Sequence, residues 1–218
     1  MAGAENILLE TERLVLRRVT LADLDNLARI NSDPEVMRFI GNGSVLTRAQ
    51  SEARIRRIQK VYEFFPGLGL WIGEEKPSRQ FVGAYALIYI PKTTEVEVGY
   101  RLRKSAWGRG LATEGARALV RYGIFELGLD RVVGLTHPEN DASKHVLMKS
   151  GLQARGTGHY YEKELCYFVA ERASSLIQLS LTCSAQFPLK RNSVRGARSM
   201  LREFPLSPPP SPRGEGEK

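Results

Sequence analysis

The sequence has little cysteine and little histidine. Its 218 residues include two cysteines, Cys166 and Cys183, which cannot build a disulfide framework and do not form a C-x-x-C pair. The three histidines, His137, His145 and His159, share no metal-ligand spacing with each other or with the cysteines. We therefore predict no metal site, and structural or surface roles for the histidines.

Long apolar runs are also missing. No stretch approaches the roughly 20 apolar residues that a membrane-spanning helix needs. The opening ten residues, MAGAENILLE, lack a charged segment followed by an apolar one, so we expect no signal peptide. Together with the low cysteine content, these absences favour a cytoplasmic protein without a membrane partner.

Acidic residues are scarce at the C-terminal end. The formal net charge is +8, of which residues 172–218 contribute +5 and residues 1–171 only +3. This tail is rich in serine, proline and glycine, so we expect it to be disordered. We interpret it as a solubilising extension, although a basic tail can also attract nucleic acid or acidic partners. We expect no nucleic-acid contact elsewhere in the chain.

Residues 1–171 contain what one α/β (α+β) domain requires. The hydrophobic pattern predicts the order β-α-α-β-β-β-α-β-α-β-β, with a single first strand over Ile7–Arg18. Capping boxes at Thr20 and Thr47 predict two helix starts. A mixed sheet with helices packed on it follows from this order.

The helix that follows Thr47 carries both an apolar stripe and a basic run. The stripe, which we expect to be buried, consists of Ile55, Ile58, Tyr62 and Phe65. The basic run, which we expect on the opposite, solvated face, consists of Arg54, Arg56, Arg57 and Lys60. The alternative is that this run guides an acidic or RNA-associated substrate.

A glycine-containing loop joins a strand to a helix in the middle of the chain. The strand ends near Arg103, the loop spans Ser105–Gly110, and the helix begins near Leu111. Unpaired backbone amides and the helix dipole meet at such a junction and favour an anion such as a pyrophosphate. A Walker loop is absent, and Thr113 stands where a dinucleotide fingerprint needs its third glycine. A plain turn remains the alternative interpretation.

Several motifs in order give the chain a family resemblance. They are the opening TERLVLR, the strand EVGY, the loop and helix start WGRGLATE, and the segment NDASKHVLMKSGL. With them, most of residues 8–171 resembles GNAT acetyltransferases, specifically the RimJ/RimL-like branch that includes ribosomal-protein N-terminal acetyltransferases. The superfamily loop is written [QR]-x-x-G-x-[GA], and Trp107 departs from it at the first position.

This resemblance implies a fold, a co-substrate and its binding residues. The fold is a mixed, mostly antiparallel sheet of six to seven strands, splayed between strands 4 and 5, with helices on both faces. The co-substrate is acetyl-CoA, without a metal. Its pantetheine is expected beside Val98, Gly99 and Tyr100, with a further contact from Asn140. Its pyrophosphate is expected in the loop formed by Trp107, Gly108, Arg109, Gly110, Leu111, Ala112 and Thr113.

The implied activity is transfer of an acetyl group to a primary amine of a small molecule or a protein N-terminus, by direct attack in a ternary complex. Such attack needs a base for the amine and an acid for the leaving thiolate. Glu97 is the expected base and Glu95, on the same strand face, the second choice; the alternative is that both are solvated strand residues. A non-catalytic acyl-CoA-binding module in a larger assembly is the alternative function, and a homodimer is left open.

The expected acid is Ser143, which matches the serine proposed for this role in RimL-like enzymes. Tyr160 and Tyr161 are alternatives, since many GNAT proteins use a tyrosine of a late strand. Helix capping alone would also explain Asn140 and Ser143.

Overall fold

The computed structural model describes residues 7–172, and the predicted tail lies outside them except for Arg172. In this range eight strands form one sheet. The strands are β1 (Ile7–Glu10), β2 (Leu14–Arg18), β3 (Gly69–Glu75), β4 (Gln80–Tyr89), β5 (Val96–Leu102), β6 (Arg131–Thr136), β7 (Gln153–Tyr160) and β8 (Lys163–Glu171). The α-helices are α1 (Leu24–Asn31), α2 (Pro34–Met37), α3 (Arg48–Phe64), α4 (Leu111–Arg121) and α5 (Asp141–Lys149).

The sheet has one strand more than the sequence predicted, because Ile7–Arg18 is a hairpin and not a single strand. The Thr11 amide donates to the Leu14 carbonyl at 2.8 Å, and the Leu14 amide donates to the Thr11 hydroxyl at 2.9 Å. These bonds reverse the chain between β1 and β2, which then pair antiparallel. The predicted α/β class is confirmed with this correction to the strand count.

The strand order is β1-β2-β3-β4-β5-β6-β8-β7, and β5 and β6 form its parallel pair. Their pairing is limited to Glu97 opposite Val133, whereas β4 and β5 pair along seven positions. The sheet therefore opens into a wedge beyond Glu97. Because the first predicted strand is two strands here, β5 and β6 correspond to predicted strands 4 and 5, and the splay falls where it was expected.

Helices cover both faces of the sheet. On one face, the buried Tyr85 of β4 donates its hydroxyl to the Leu111 carbonyl of α4 at 2.9 Å. A Cβ at Gly115 would come within 2.3 Å of the Tyr85 ring, so glycine lets α4 lie close to the strand. On the other face, Ala84 and Ala86 line a cavity together with residues of α1 and α3.

The capping predictions are confirmed. At Thr47 the Gln50 amide donates to the threonine hydroxyl at 3.2 Å, and the Gln50 side chain accepts from the Thr47 amide at 2.8 Å. At Thr20 the Asp23 carboxylate accepts from the threonine amide at 2.8 Å. These caps fix the starts of the segments that carry α1 and α3, and thereby one wall of the cavity.

Candidate active site

A cavity of about 900 Å³ occupies the wedge between β5 and β6. Its walls come from β5, the start of α4, the start of α5 and the inner sides of α1 and α3. Of the predicted site residues, those that line it are Glu97, Val98, Gly99, Tyr100, Trp107, Gly108, Gly110, Leu111, Ala112, Thr113, Asn140 and Ser143. Of the first-choice base, the first-choice acid and the expected acetyl-CoA contacts, Arg109 is the residue that does not line it.

The loop before α4 has the backbone geometry of an anion site. Gly108 and Gly110 have φ angles of +70° and +77°, and Gly110 is the N-cap of α4. Both angles lie in the left-handed region that favours glycine. Among residues 7–172 we find no acceptor for the backbone amides of residues 108–113. These amides and the helix dipole are therefore available to a negatively charged ligand.

Side chains anchor this loop from behind. Arg13 donates to the Arg109 carbonyl at 2.9 Å and forms an ion pair with Glu114 of α4 at 2.6 Å. The Arg109 side chain pairs with Glu75 of β3, which explains why it does not line the cavity. Trp107 donates its indole NH to the Leu102 carbonyl at 2.9 Å. The loop is thus tied to the sheet through the turn between β1 and β2, through β3 and through β5.

Glu97 lies in the cavity wall where the wedge begins. Burial raises the pKa of its carboxyl to about 7, against opposing hydrogen bonds from the Tyr161 hydroxyl and the Leu135 amide. The Tyr161 oxygen is 2.7 Å from Glu97 Oε2, and Tyr161 also lines the cavity. A carboxyl group with a pKa near neutrality can exchange a proton with a bound amine.

Glu95, the second-choice base, does not line the cavity. Its carboxylate accepts from the Tyr167 hydroxyl at 2.6 Å and from the Tyr160 hydroxyl at 3.4 Å. The two tyrosine rings stack with centroids 5.8 Å apart. Tyr160 is therefore part of the Glu95 cluster, whereas Tyr161 belongs to the cavity.

Ser143 lies in the first turn of α5, opposite β5. Its hydroxyl is 3.0 Å from the Tyr100 hydroxyl, and Asn140 caps the helix by accepting from the Ser143 amide at 3.1 Å. The predicted capping role of Asn140 is confirmed. Both residues also line the cavity, so capping and a contact with a ligand are compatible.

The basic run of α3 is not the solvated face that the sequence predicted. Arg56 is exposed and pairs with Glu52, but Arg54 and Arg57 are half-buried and line the cavity with Arg101 of β5. The helical period puts both Arg54 and Arg57 next to the buried stripe, and the stripe alone does not reveal a cavity there. These arginines and Tyr161 are the site residues to which sequence reasoning assigned no role or only an alternative one.

Two of the histidines also reach the cavity. His137 stacks on Phe39 with centroids 5.3 Å apart, and both rings line the cavity, as does His145. Within residues 7–172, no group of three or more histidine, cysteine or acidic residues could hold a metal ion. In that same range, no helix is long and apolar enough to span a membrane.

Comparisons with known proteins identify the family of this chain. The model of the acetyltransferase (GNAT) domain family matches residues 13–153. The FsC-acetyl coenzyme A-N(2)-transacetylase of Aspergillus fumigatus is 33% identical over 152 residues, which span 66% of this chain and 64% of that protein. An uncharacterised N-acetyltransferase of Bacillus subtilis, YoaA, is 29% identical over 155 residues, which span 71% of this chain and 87% of that protein.

A solved structure supports the fold. RimL, the ribosomal L7/L12 alpha-N-protein acetyltransferase, was solved in complex with coenzyme A and superposes with a TM-score of 0.65 at 14% identity. The match covers 77% of this chain and 99% of RimL. Fold, site and family model together define an acyltransferase. More specifically, the chain belongs to the GNAT acetyltransferase family.

Proposed function

We propose that this protein transfers the acetyl group of acetyl-CoA to a primary amine by direct attack in a ternary complex. This proposal rests on the composition of the cavity. It joins a loop whose backbone amides, at residues 108–113, have no acceptor among residues 7–172 to a carboxyl group whose pKa is near neutrality. In this proposal residues 1–171 are the catalytic domain, and the tail of residues 172–218 is dispensable.

The chain's own groups fit the donor. Acetyl-CoA supplies the acetyl group as a thioester, and the amides of residues 108–113 would donate hydrogen bonds to its pyrophosphate. Val98, Gly99 and Tyr100 line the open side of β5, where strand pairing to β6 has ended, so backbone groups of this strand can receive the pantetheine arm. Asn140 offers a further contact from the opposite wall.

Glu97 is the proposed general base. An α-amino group has a pKa of roughly 7.7–8.0 and arrives mostly protonated at neutral pH. Glu97 removes this proton, directly or through water, and the free amine then attacks the thioester carbonyl. A carbon–nitrogen bond forms and the carbon–sulfur bond breaks, so the leaving thiolate needs a proton.

Ser143 is the proposed acid for the thiolate. Its hydroxyl faces the cavity and lies 3.0 Å from the Tyr100 hydroxyl, which can replace the donated proton. Tyr161 is the alternative acid. Burial and the nearby Glu97 carboxylate raise the pKa of Tyr161 well above its ordinary value, and its hydroxyl proton is already donated to Glu97.

The names of the relatives restrict the identity of the acceptor very little. One relative is named as an FsC transacetylase and one structural neighbour as a protein N-terminal acetyltransferase. We therefore propose a primary amine as the acceptor, and the names of these proteins do not decide whether that amine belongs to a small molecule or to a protein. Membership of the RimJ/RimL-like branch and a cytoplasmic location are parts of the same proposal.

Calorimetric titration of the full chain with acetyl-CoA tests the binding step. Gly110→Asp adds a carboxylate beside the pyrophosphate position and should weaken binding at least 100-fold. Gly110→Asn is the matched control, because asparagine has the shape of aspartate and a similar tolerance of a φ of +77° without the charge, and it should weaken binding no more than about tenfold. Equal losses in the two variants would refute the anion-binding role of the loop, and no binding by the unmodified protein would refute the function.

A further inference from the structure

Two arginines in the inner wall of the cavity, Arg54 and Arg101, have no acidic partner among residues 7–172. Arg54 of α3 and Arg101 of β5 line the cavity, and no carboxylate of residues 7–172 lies within ion-pair distance of either. The Arg101 Nε atom is buried without a hydrogen-bond partner in that range. Half-buried charges without partners are costly, and proteins normally pair them.

The two arginines also repel one another. Burial and the Arg54 charge lower the pKa of Arg101 to about 9, so its guanidinium remains charged at neutral pH. Burial and the Arg57 charge likewise lower the pKa of Arg54. A negatively charged ligand would offset both the free-energy cost of desolvating the two guanidinium groups and the repulsion between them.

The acidic side chains that line the cavity interact with other residues and not with these two arginines. Glu35 pairs with Lys104 at 3.0 Å, and Glu97 bonds with Tyr161. Ala84 and Ala86 line the cavity on the same sheet face as Arg101, because Ala84 pairs with Arg101 and Ala86 with Gly99. The wall thus combines a cationic end with an aliphatic floor, on the sheet face opposite α4.

We propose that the acceptor is a small amine that also carries an anionic group, a carboxylate or a phosphate, bound by Arg54 and Arg101. Guanidinium groups bind both anions with paired hydrogen bonds. The aliphatic floor then contacts a short carbon skeleton, and the amine points toward Glu97. A polycationic acceptor would meet repulsion at this wall. This inference deepens the proposed function and rests on it for the acetylation step.

Anion binding is tested first, independently of turnover. The full chain, saturated with coenzyme A, is titrated with inorganic phosphate by calorimetry at constant ionic strength. We expect binding in the millimolar range, weakened at least tenfold in Arg101→Gln and in Arg54→Gln. Arg56→Gln is the matched control, since Arg56 lies on the same helix but is exposed, and it should bind phosphate as the unmodified protein does.

Three results would overturn the proposal: no phosphate binding in the presence of coenzyme A, equal losses in Arg56→Gln, or a loss of acetyl-CoA affinity in Arg101→Gln as large as the loss of phosphate affinity. The last result would mean that the arginines hold the donor's phosphates. Two independent arginine variants guard against misfolding of one. Failure of the proposed function would show separately, as a failure of acetyl-CoA to bind.

Turnover then distinguishes the two anions. Release of coenzyme A thiol is measured with β-alanine against its amide, and with aminoethyl phosphate against ethanolamine. We expect a preference of at least tenfold in kcat/KM for the charged member of one pair, lost in Arg101→Gln through a higher KM. Preference for the neutral member in both pairs would contradict the proposal.

Discussion

Two glutamates near the start of β5 accept hydrogen bonds from tyrosines, but one lies in the cavity wall and the other lies outside it. Glu97, in the wall of the cavity, accepts one hydrogen bond from a tyrosine hydroxyl, that of Tyr161. Glu95, outside the cavity, accepts two such hydrogen bonds, from Tyr160 and Tyr167. Strand parity put both carboxylates on one face, so the sequence could not separate them. We infer that the position of Glu97 in the cavity wall at the open edge of β5, and not the residue type, distinguishes the proposed base from Glu95.

The largest effect should come from removing the Glu97 carboxylate. Glu97→Gln keeps the side-chain shape but abolishes the base, and a general base contributes about 10²–10⁴-fold. We expect kcat to fall within that range at pH 8 in an acetyl-CoA turnover assay. Glu95→Gln is the matched control and should retain kcat within about threefold. Equal losses would remove the distinction between the two clusters, no loss in Glu97→Gln would exclude Glu97 as the base, and no turnover by the unmodified protein would favour the non-catalytic acyl-CoA-binding module.

The pH dependence of kcat is a second way to separate the clusters. Glu97 is the base only when deprotonated, and burial raises its pKa to about 7. The rate should therefore rise with pH up to about 7 and level off above it, with a tenfold loss per unit at lower pH. Glu97→Gln should lack this limb and Glu95→Gln should keep it. A limb that persists in Glu97→Gln would assign the titration to the acceptor amine or to another group.

Local signals made much of the site predictable. Glycines with left-handed φ at residues 108 and 110, the cap at Asn140 and the strand of Glu97 each depend on near neighbours in sequence. Their arrangement around one cavity follows from the wedge between β5 and β6, which the family resemblance implied.

The arginine wall could not be predicted in the same way. Arg54 and Arg57 lie one residue before Ile55 and Ile58 of the buried stripe, at the edge of the apolar face of α3. Such edge residues face solvent or a cavity depending on what the helix packs against. Here β5 places Arg101 in the same cavity, a juxtaposition that no local pattern encodes.

The smallest effect, and the one that distinguishes the two candidate acids, is expected for Tyr161→Phe. Its hydroxyl lowers the pKa of Glu97 by hydrogen bonding to the carboxylate, so its removal should raise that pKa further. The low-pH limb of kcat should move to higher pH, with a loss of severalfold at pH 7 that is recovered at pH 9. Tyr160→Phe, whose hydroxyl reaches Glu95 instead, should leave the limb in place. A loss of 100-fold or more at every pH in Tyr161→Phe would instead identify Tyr161 as the acid and exclude Ser143 from that role.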